Sequence, residues 1–257
     1  MPTLRAYARD FFPRFFLERF GYRHGWLARS VIRSFGLPDR FGKDLLDQKI
    51  IDRIDTSPNF YIEIGANDGV RLSNTLALEL YFGWRGILLE PISKSFRALE
   101  KNRSRRRNVL LNIACVASDN KAEKVEMIYC DLMSIALGLD SDVSDPSEHA
   151  IRGSKFLKPG VELRREVVEA STMTSALVHA EAPESIGFLS LDVEGAELEV
   201  LRGIDFHTYH IEWILVESRN PERIATFLRR HGYRMREALS TYDFLFHKDF
   251  EPEFRGH

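Results

Sequence analysis

Cysteine is scarce in this sequence: Cys115 and Cys130 are the only two, and no C-x-x-C pair occurs. That excludes a disulfide framework and a structural zinc site, and it suits a reducing, cytoplasmic setting. Long apolar runs are missing as well, so no segment approaches the roughly eighteen residues of a membrane span. No compact apolar stretch precedes a small-residue cleavage site near Met1, which argues against a secretory leader. The formal net charge is −2, so no basic excess points to nucleic acid. Neither G-x-x-x-x-G-K-S/T nor G-x-S-x-G is present, which leaves phosphate-loop and serine-hydrolase chemistry without support. The dinucleotide fingerprint G-x-G-x-x-G is missing too. Counted from Gly65, Asn67 and Val70 take the places of its second and third glycines, and a side chain at the second crowds a diphosphate.

What is present can bury one substantial core: 257 residues, 44% hydrophobic and 29% charged. One α/β domain with appendages is expected. From Phe60 the chain reads as a buried strand running into a glycine turn at Gly65–Gly69, followed by a helical pattern from Val70 to Phe82. A second strand, Gly86 to Leu89, ends in Glu90, placed to accept hydrogen bonds from ribose hydroxyls. Glu63, two residues before Gly65, favours a positive charge on the ligand over a negative one. These features select a cationic, phosphate-free nucleoside, and S-adenosylmethionine, with its ammonium and sulfonium, fits.

Residues 1–55 read as an N-terminal helical extension. Between Arg5 and Arg40 the chain is rich in arginine and free of lysine, with Phe11, Phe12, Phe15, Phe16, Phe20 and Trp26 interleaved and breaks at Pro13 and Gly21. Such a segment fits a helix lying on a membrane surface, or a cap on the core or on a second subunit of a homo-oligomer. Phenylalanine spacing of three to four favours the cap. Asp44 to Ile54 continues as an amphipathic helix.

Over residues 56–250, strands alternating with helices predict a doubly wound, mostly parallel, seven-stranded α/β sheet with right-handed crossovers. Arg103 to Arg107 reads as a solvated basic helix end, and Asn108 to Val116 as the third strand. Residues 119–172 interrupt the alternation. Their strands, Lys124–Tyr129 and Glu166–Glu169, are candidates to pair with each other. The polar stretch 134–159 between them reads as an irregular segment, either a lid or binding loop or disordered, and is taken as selecting the substrate. Gly187–Val193 and Ile211–Glu217 are the fourth and fifth core strands. Gly65, Glu90, Asn112, Asp192 and Glu217 should then converge at the carboxyl ends of the strands. No histidine pair has metal-ligand spacing; His149, in the insertion, is the first to test among the histidines.

Leu191 to Gly203, taken with Ile64–Gly69 and Leu89–Pro91, resembles the FkbM family of S-adenosylmethionine-dependent methyltransferases, in order, over about residues 58 to 247. Glu63, Gly65 and Gly69 match the class I first motif, E/D-x-G-x-x-x-G. The resemblance implies an O-methyltransferase acting on a hydroxyl of a sugar, glycan or related natural product. It implies cofactor contacts at Glu63, Gly65, Asn67, Asp68, Gly69 and Glu90. It also sets Asn112 against the adenine amino group, though Asn112 could equally cap a turn. In-line methyl transfer needs the acceptor oxygen held about 3 Å away and its proton taken by a base or acidified by a metal. Asp192 and Glu217 could serve as base, or both could bind one divalent cation, for which oxygen ligands favour Mg2+ or Mn2+. Glu194 and Glu197 are expected simply to stabilise a helix N-terminus. A reading from another class is a non-catalytic adaptor of the same fold, attached to membranes or a protein partner by its N-terminal helices.

Overall fold

The computed structural model describes residues 22, 24–35, 39–57, 59–157 and 159–249. Phe11, Phe12, Phe15, Phe16 and Phe20, on which the membrane and cap readings rest, lie outside them. The strands are β1 (Phe60–Ile64), β2 (Arg85–Leu89), β3 (Asn108–Leu111), β4 (Ala114–Val116), β5 (Lys124–Tyr129), β6 (Ile135–Ala136), β7 (Arg164–Thr172), β8 (Ser185–Leu191), β9 (His210–Glu217), β10 (Tyr233–Ala238) and β11 (Asp243–Lys248). The helices are α1 (Gly25–Phe35), α2 (Leu46–Ile51), α3 (Leu76–Phe82), α4 (Ser93–Asn102), α5 (Pro146–Gly153), α6 (Met173–His179), α7 (Glu197–Leu201) and α8 (Pro221–Arg229).

A seven-stranded sheet runs in the order β10-β11-β9-β8-β1-β2-β3. Its five strands from β9 to β3 are parallel, and β11 turns back antiparallel between β9 and β10. This is the expected doubly wound, mostly parallel architecture. All five residues of β1 are buried, as a strand covered on both faces requires. Alternation along the strand divides the core in two. Ile62 and Ile64 join Leu189, Leu191, Leu177 of α6, Leu201 of α7 and Leu228 of α8 on one face. Tyr61 joins Leu88, Phe188, Ile50 of α2, Leu78 of α3 and Leu99 of α4 on the other.

The described part of the N-terminal extension packs on this frame. Ala28 and Ile32 of α1 lie against Leu76 and Leu80 of α3, while Trp26 remains 68% exposed. Lys49 Nζ donates to the Leu239 carbonyl at 2.9 Å, and Arg53 pairs with Glu237 at 2.7 Å. Both contacts fix α2 to the β10–β11 hairpin.

Four expectations change. The helix expected from Val70 begins only at Leu76, because Glu63 pulls the preceding loop onto β1: its carboxylate accepts from Ser73 Oγ, the Asn74 amide and Thr75 Oγ1. The third strand breaks at Asn112. Beyond it β4 joins a second sheet, of order β4-β7-β5-β6, in which β5 and β7 do pair, antiparallel. Arg103 is not a solvated helix end but 1% exposed. The polar stretch 134–159 is not structureless, since it carries β6 and α5.

Candidate functional site

A cleft of about 580 Å³ opens across the carboxyl ends of the parallel strands, where a doubly wound sheet offers a crevice. Gly65, Asn67, Glu90, Asp192 and Glu217 line it, and Glu63 borders it. Asp68, Gly69 and Asn112 do not line it.

Gly65 sits at φ +84, and a Cβ there would stand 1.8 Å from the Asp192 carbonyl oxygen. Only glycine satisfies both the conformation and the contact. The amides of Gly65 and Ala66 both donate to the Leu89 carbonyl at 3.0 Å, so the turn is stitched to the end of β2. Glu90 follows there. Its carboxylate accepts from the Asn67 and Ile92 amides, each at 2.8 Å. Burial pushes its pKa up to about 7, against the lowering effect of those two amides. Two lone pairs remain for hydroxyl donors on a ligand.

Glu63 is held from behind. Besides its three loop donors it meets the Arg103 guanidinium at 3.3 Å. Arg103 also donates to Glu79 at 2.8 Å, to Tyr61 Oη at 2.5 Å and to the Gly69 carbonyl at 3.1 Å. Gly69 is therefore a packing glycine: a Cβ would stand 2.6 Å from Arg103 Cγ and 2.5 Å from Leu99 Cδ1. Asp68 closes its own turn by accepting from the Val70 and Arg71 amides. Asn112 donates to the Glu90 and Pro91 carbonyls, both at 2.8 Å. It holds the chain where β3 ends.

Asp192 and Glu217, at the tips of adjacent β8 and β9, are close enough for each to shift the other's proton affinity. Burial first, then repulsion from neighbouring carboxylates, pushes Asp192 well above the ordinary carboxyl range, and burial raises Glu217 as well. Two acids that interact this strongly titrate as a pair rather than singly. A group that releases a proton so reluctantly is a stronger base once it has done so.

The acids after β8 are not solvated helix-end charges. Glu197, 2% exposed, turns back so that Oε1 accepts from the Gly195 and Val193 amides at 2.9 and 3.2 Å. Burial pushes its pKa up to about 8. Glu194 lines the cleft and pairs with Arg219 at 2.9 Å. His149 of α5, 2% exposed, brings Nε2 within 3.2 Å of Glu194 Oε2, without the alignment of a hydrogen bond. Asp142 accepts from the Arg219 amide at 2.9 Å and from Ser218 Oγ at 3.2 Å. The insertion is thus clasped onto the β8 and β9 tips, and its Asp131, Lys155 and Phe156 face the cleft. Arg219 could have been found in the sequence, two residues past the end of β9; nothing local marks Asp142 or Arg103.

Among the described residues, no group of three His, Cys, Asp or Glu side chains is arranged to hold a metal ion. Asp192 and Glu217 lack a third such ligand among the described residues. No described helix is long and apolar enough to cross a membrane.

A model of the methyltransferase FkbM domain matches residues 63–235. No protein of curated function matches the chain. Solved structures similar to it include the methyltransferase FkbM of Methylobacillus flagellatus KT, at 12% identity and TM-score 0.42 over 74% of this chain and 43% of that one. This chain therefore spans less than half the length of that relative. A precorrin-6y C5,15-methyltransferase of Geobacter metallireducens GS-15 is 12% identical over 79% of this chain and 87% of its own, with TM-score 0.40. A ribosomal protein L11 methylase of Lactobacillus delbrueckii subsp. bulgaricus is 10% identical over 81% of each chain, with TM-score 0.38. The matched domain runs from Glu63 in β1 into β10 and takes in the Gly65 turn, Glu90, Asp192 and Glu217, so the chain belongs to the FkbM family of S-adenosylmethionine-dependent methyltransferases.

Proposed function

We propose that this protein transfers a methyl group from S-adenosylmethionine to a hydroxyl oxygen of a sugar, glycan or related natural product, with the Asp192–Glu217 pair as general base. The observation that carries this reading is the pair of neighbouring carboxylates, Asp192 and Glu217, in the same cleft as the Gly65 turn and Glu90. The cleft has the volume of a small-molecule site, and its wall suits the cofactor's chemistry. Glu90 offers acceptors to a ribose diol, and the surplus of carboxylates favours a cationic ligand.

The cofactor supplies an electrophilic methyl group on a sulfonium. The protein's work is to hold the acceptor oxygen in line with that carbon, exclude competing water and take the hydroxyl proton. Asp192 and Glu217 do the last: the ionised pair accepts the proton and holds it between them. The insertion, clasped through Glu194, Arg219 and Asp142, closes the acceptor side. A divalent cation, were one used, would be held by Asp192 and Glu217 and would acidify the acceptor hydroxyl.

The test is turnover with labelled cofactor on a panel of hydroxylated acceptors. Asp192→Asn is expected to abolish transfer while leaving S-adenosylhomocysteine affinity within about threefold. A variant that turns over normally removes Asp192 from the reaction. Loss of turnover on chelation, restored by magnesium, would favour the cation over a carboxylate base.

A further inference from the structure

The cleft is lined by four cations, and three of them already have partners. Arg71 pairs with Asp131, Arg219 pairs with Glu194, and the Lys155 ammonium lies 5.0 Å from the centroid of the Phe156 ring. Lys43 differs. Among the described residues its ammonium makes no hydrogen bond, ion pair or ring contact, although it is near enough to Glu217 to lower that group's pKa.

The backbone that follows Lys43 is strained. Asp44 at φ 50 and Leu45 at φ 60 follow it in the left-handed region, where residues bearing a Cβ stay only when their surroundings hold them. Leu45 is 58% exposed, so burying its side chain does not account for the turn. The holder is Asp47, wholly buried, whose carboxylate accepts from the Phe41 amide at 2.8 Å and the Gln48 amide at 3.0 Å. At Gly42 the loop closes so tightly that a Cβ would stand 2.5 Å from the Asp47 amide. Strained non-glycine backbone of this kind gathers at ligand clamps.

We infer that Lys43 is a binding residue for an oxyanion, a carboxylate or phosphate, carried into the cleft by a ligand. Two sources share that chemistry. The first, which rests on the methyl-transfer reading, is the α-carboxylate of the cofactor. The second is an acidic group on the acceptor. In both cases a residue ahead of the matched domain completes the site.

Calorimetry on the full chain separates the sources. Wild type, Lys43→Met and Lys43→Arg are titrated with S-adenosylhomocysteine and with methylthioadenosine, a nucleoside thioether that lacks the carboxylate. Phosphate and glucuronate are titrated with and without S-adenosylhomocysteine. If the cofactor is the source, Lys43→Met weakens S-adenosylhomocysteine about tenfold, leaves methylthioadenosine unchanged, and Lys43→Arg restores most of the loss. If the acceptor is the source, S-adenosylhomocysteine binds all three alike. Phosphate or glucuronate then binds wild type and Lys43→Arg about tenfold more tightly than Lys43→Met. A Lys43→Met protein that binds S-adenosylhomocysteine and both anions as wild type does overturns the inference. Wild type that binds no S-adenosylhomocysteine removes the methyltransferase reading instead, while the anion titrations run without cofactor still decide Lys43.

Discussion

Two clusters of charge, one around Arg103 and one at Asp192 and Glu217, have opposite consequences at the scale of single residues. Around Arg103 every charge is answered: its guanidinium reaches Glu63 and Glu79, and both carboxylates accept further hydrogen bonds. Arg103→Met leaves two buried carboxylates without their cation and should cost about 3–5 kcal/mol. Urea unfolding reads this directly, and an unchanged midpoint would show the network to be ornamental. Asp192 and Glu217 are the reverse case, two acids without a full countercharge, so their hold on a proton is strengthened. Because the working base is the ionised pair, turnover should rise with pH through the raised range and fall away below it. Glu217→Gln, which cannot become an anion, should flatten that rise. A rate already at its plateau in mild acid would contradict the assignment.

At the scale of elements, the insertion is held to the β8 and β9 tips by a few side chains. Arg219→Ala removes the partner of Glu194 and of Asp142 Oδ1 but leaves the sheet untouched. Limited proteolysis should then cut within 134–159 faster than in wild type, with the unfolding midpoint nearly unchanged; equal cutting would show that Arg219 does not hold the insertion. This element was also the least legible in the sequence. Strands such as β1 and β8 announce themselves as apolar runs, and Pro221 and Asn220 mark the start of α8 by local chemistry. Where tertiary contacts decide, the pattern misleads. Val70 to Asn74 reads as helix because its residues permit one, but Glu63 captures the loop. Asn108 to Val116 reads as one strand, yet Asn112 turns it between two sheets. Arg103 stands among residues of identical charge, and only its burial separates it from Arg105.

For the molecule as a whole, buried acids set how stability follows pH. Burial raises Glu90 to about 7 and Glu197 to about 8, from 4.5 for an ordinary glutamate. Between those limits the folded chain keeps protons that the unfolded chain has lost. The stability these groups contribute is whole below about pH 4.5 and is lost as pH rises through about 8. The urea midpoint should fall across that window, and Glu197→Gln should reduce the fall. A midpoint that climbs instead would mean these acids are ionised in the fold.

The site was legible to the extent that strand ends carry it. Gly65, Glu90, Asp192 and Glu217 each terminate a recognisable strand and meet in one cleft. Lys43, Arg219 and Asp142 come from outside that alternation, and Asn112 was placed by a strand that proved shorter. The most direct measurement is a calorimetric titration of wild type and Glu90→Ala with S-adenosylhomocysteine. Wild type is expected to bind one equivalent, and Glu90→Ala to bind it more weakly by about 1–3 kcal/mol. No binding by wild type, or equal affinity in the two proteins, would contradict a nucleoside cleft at the strand tips.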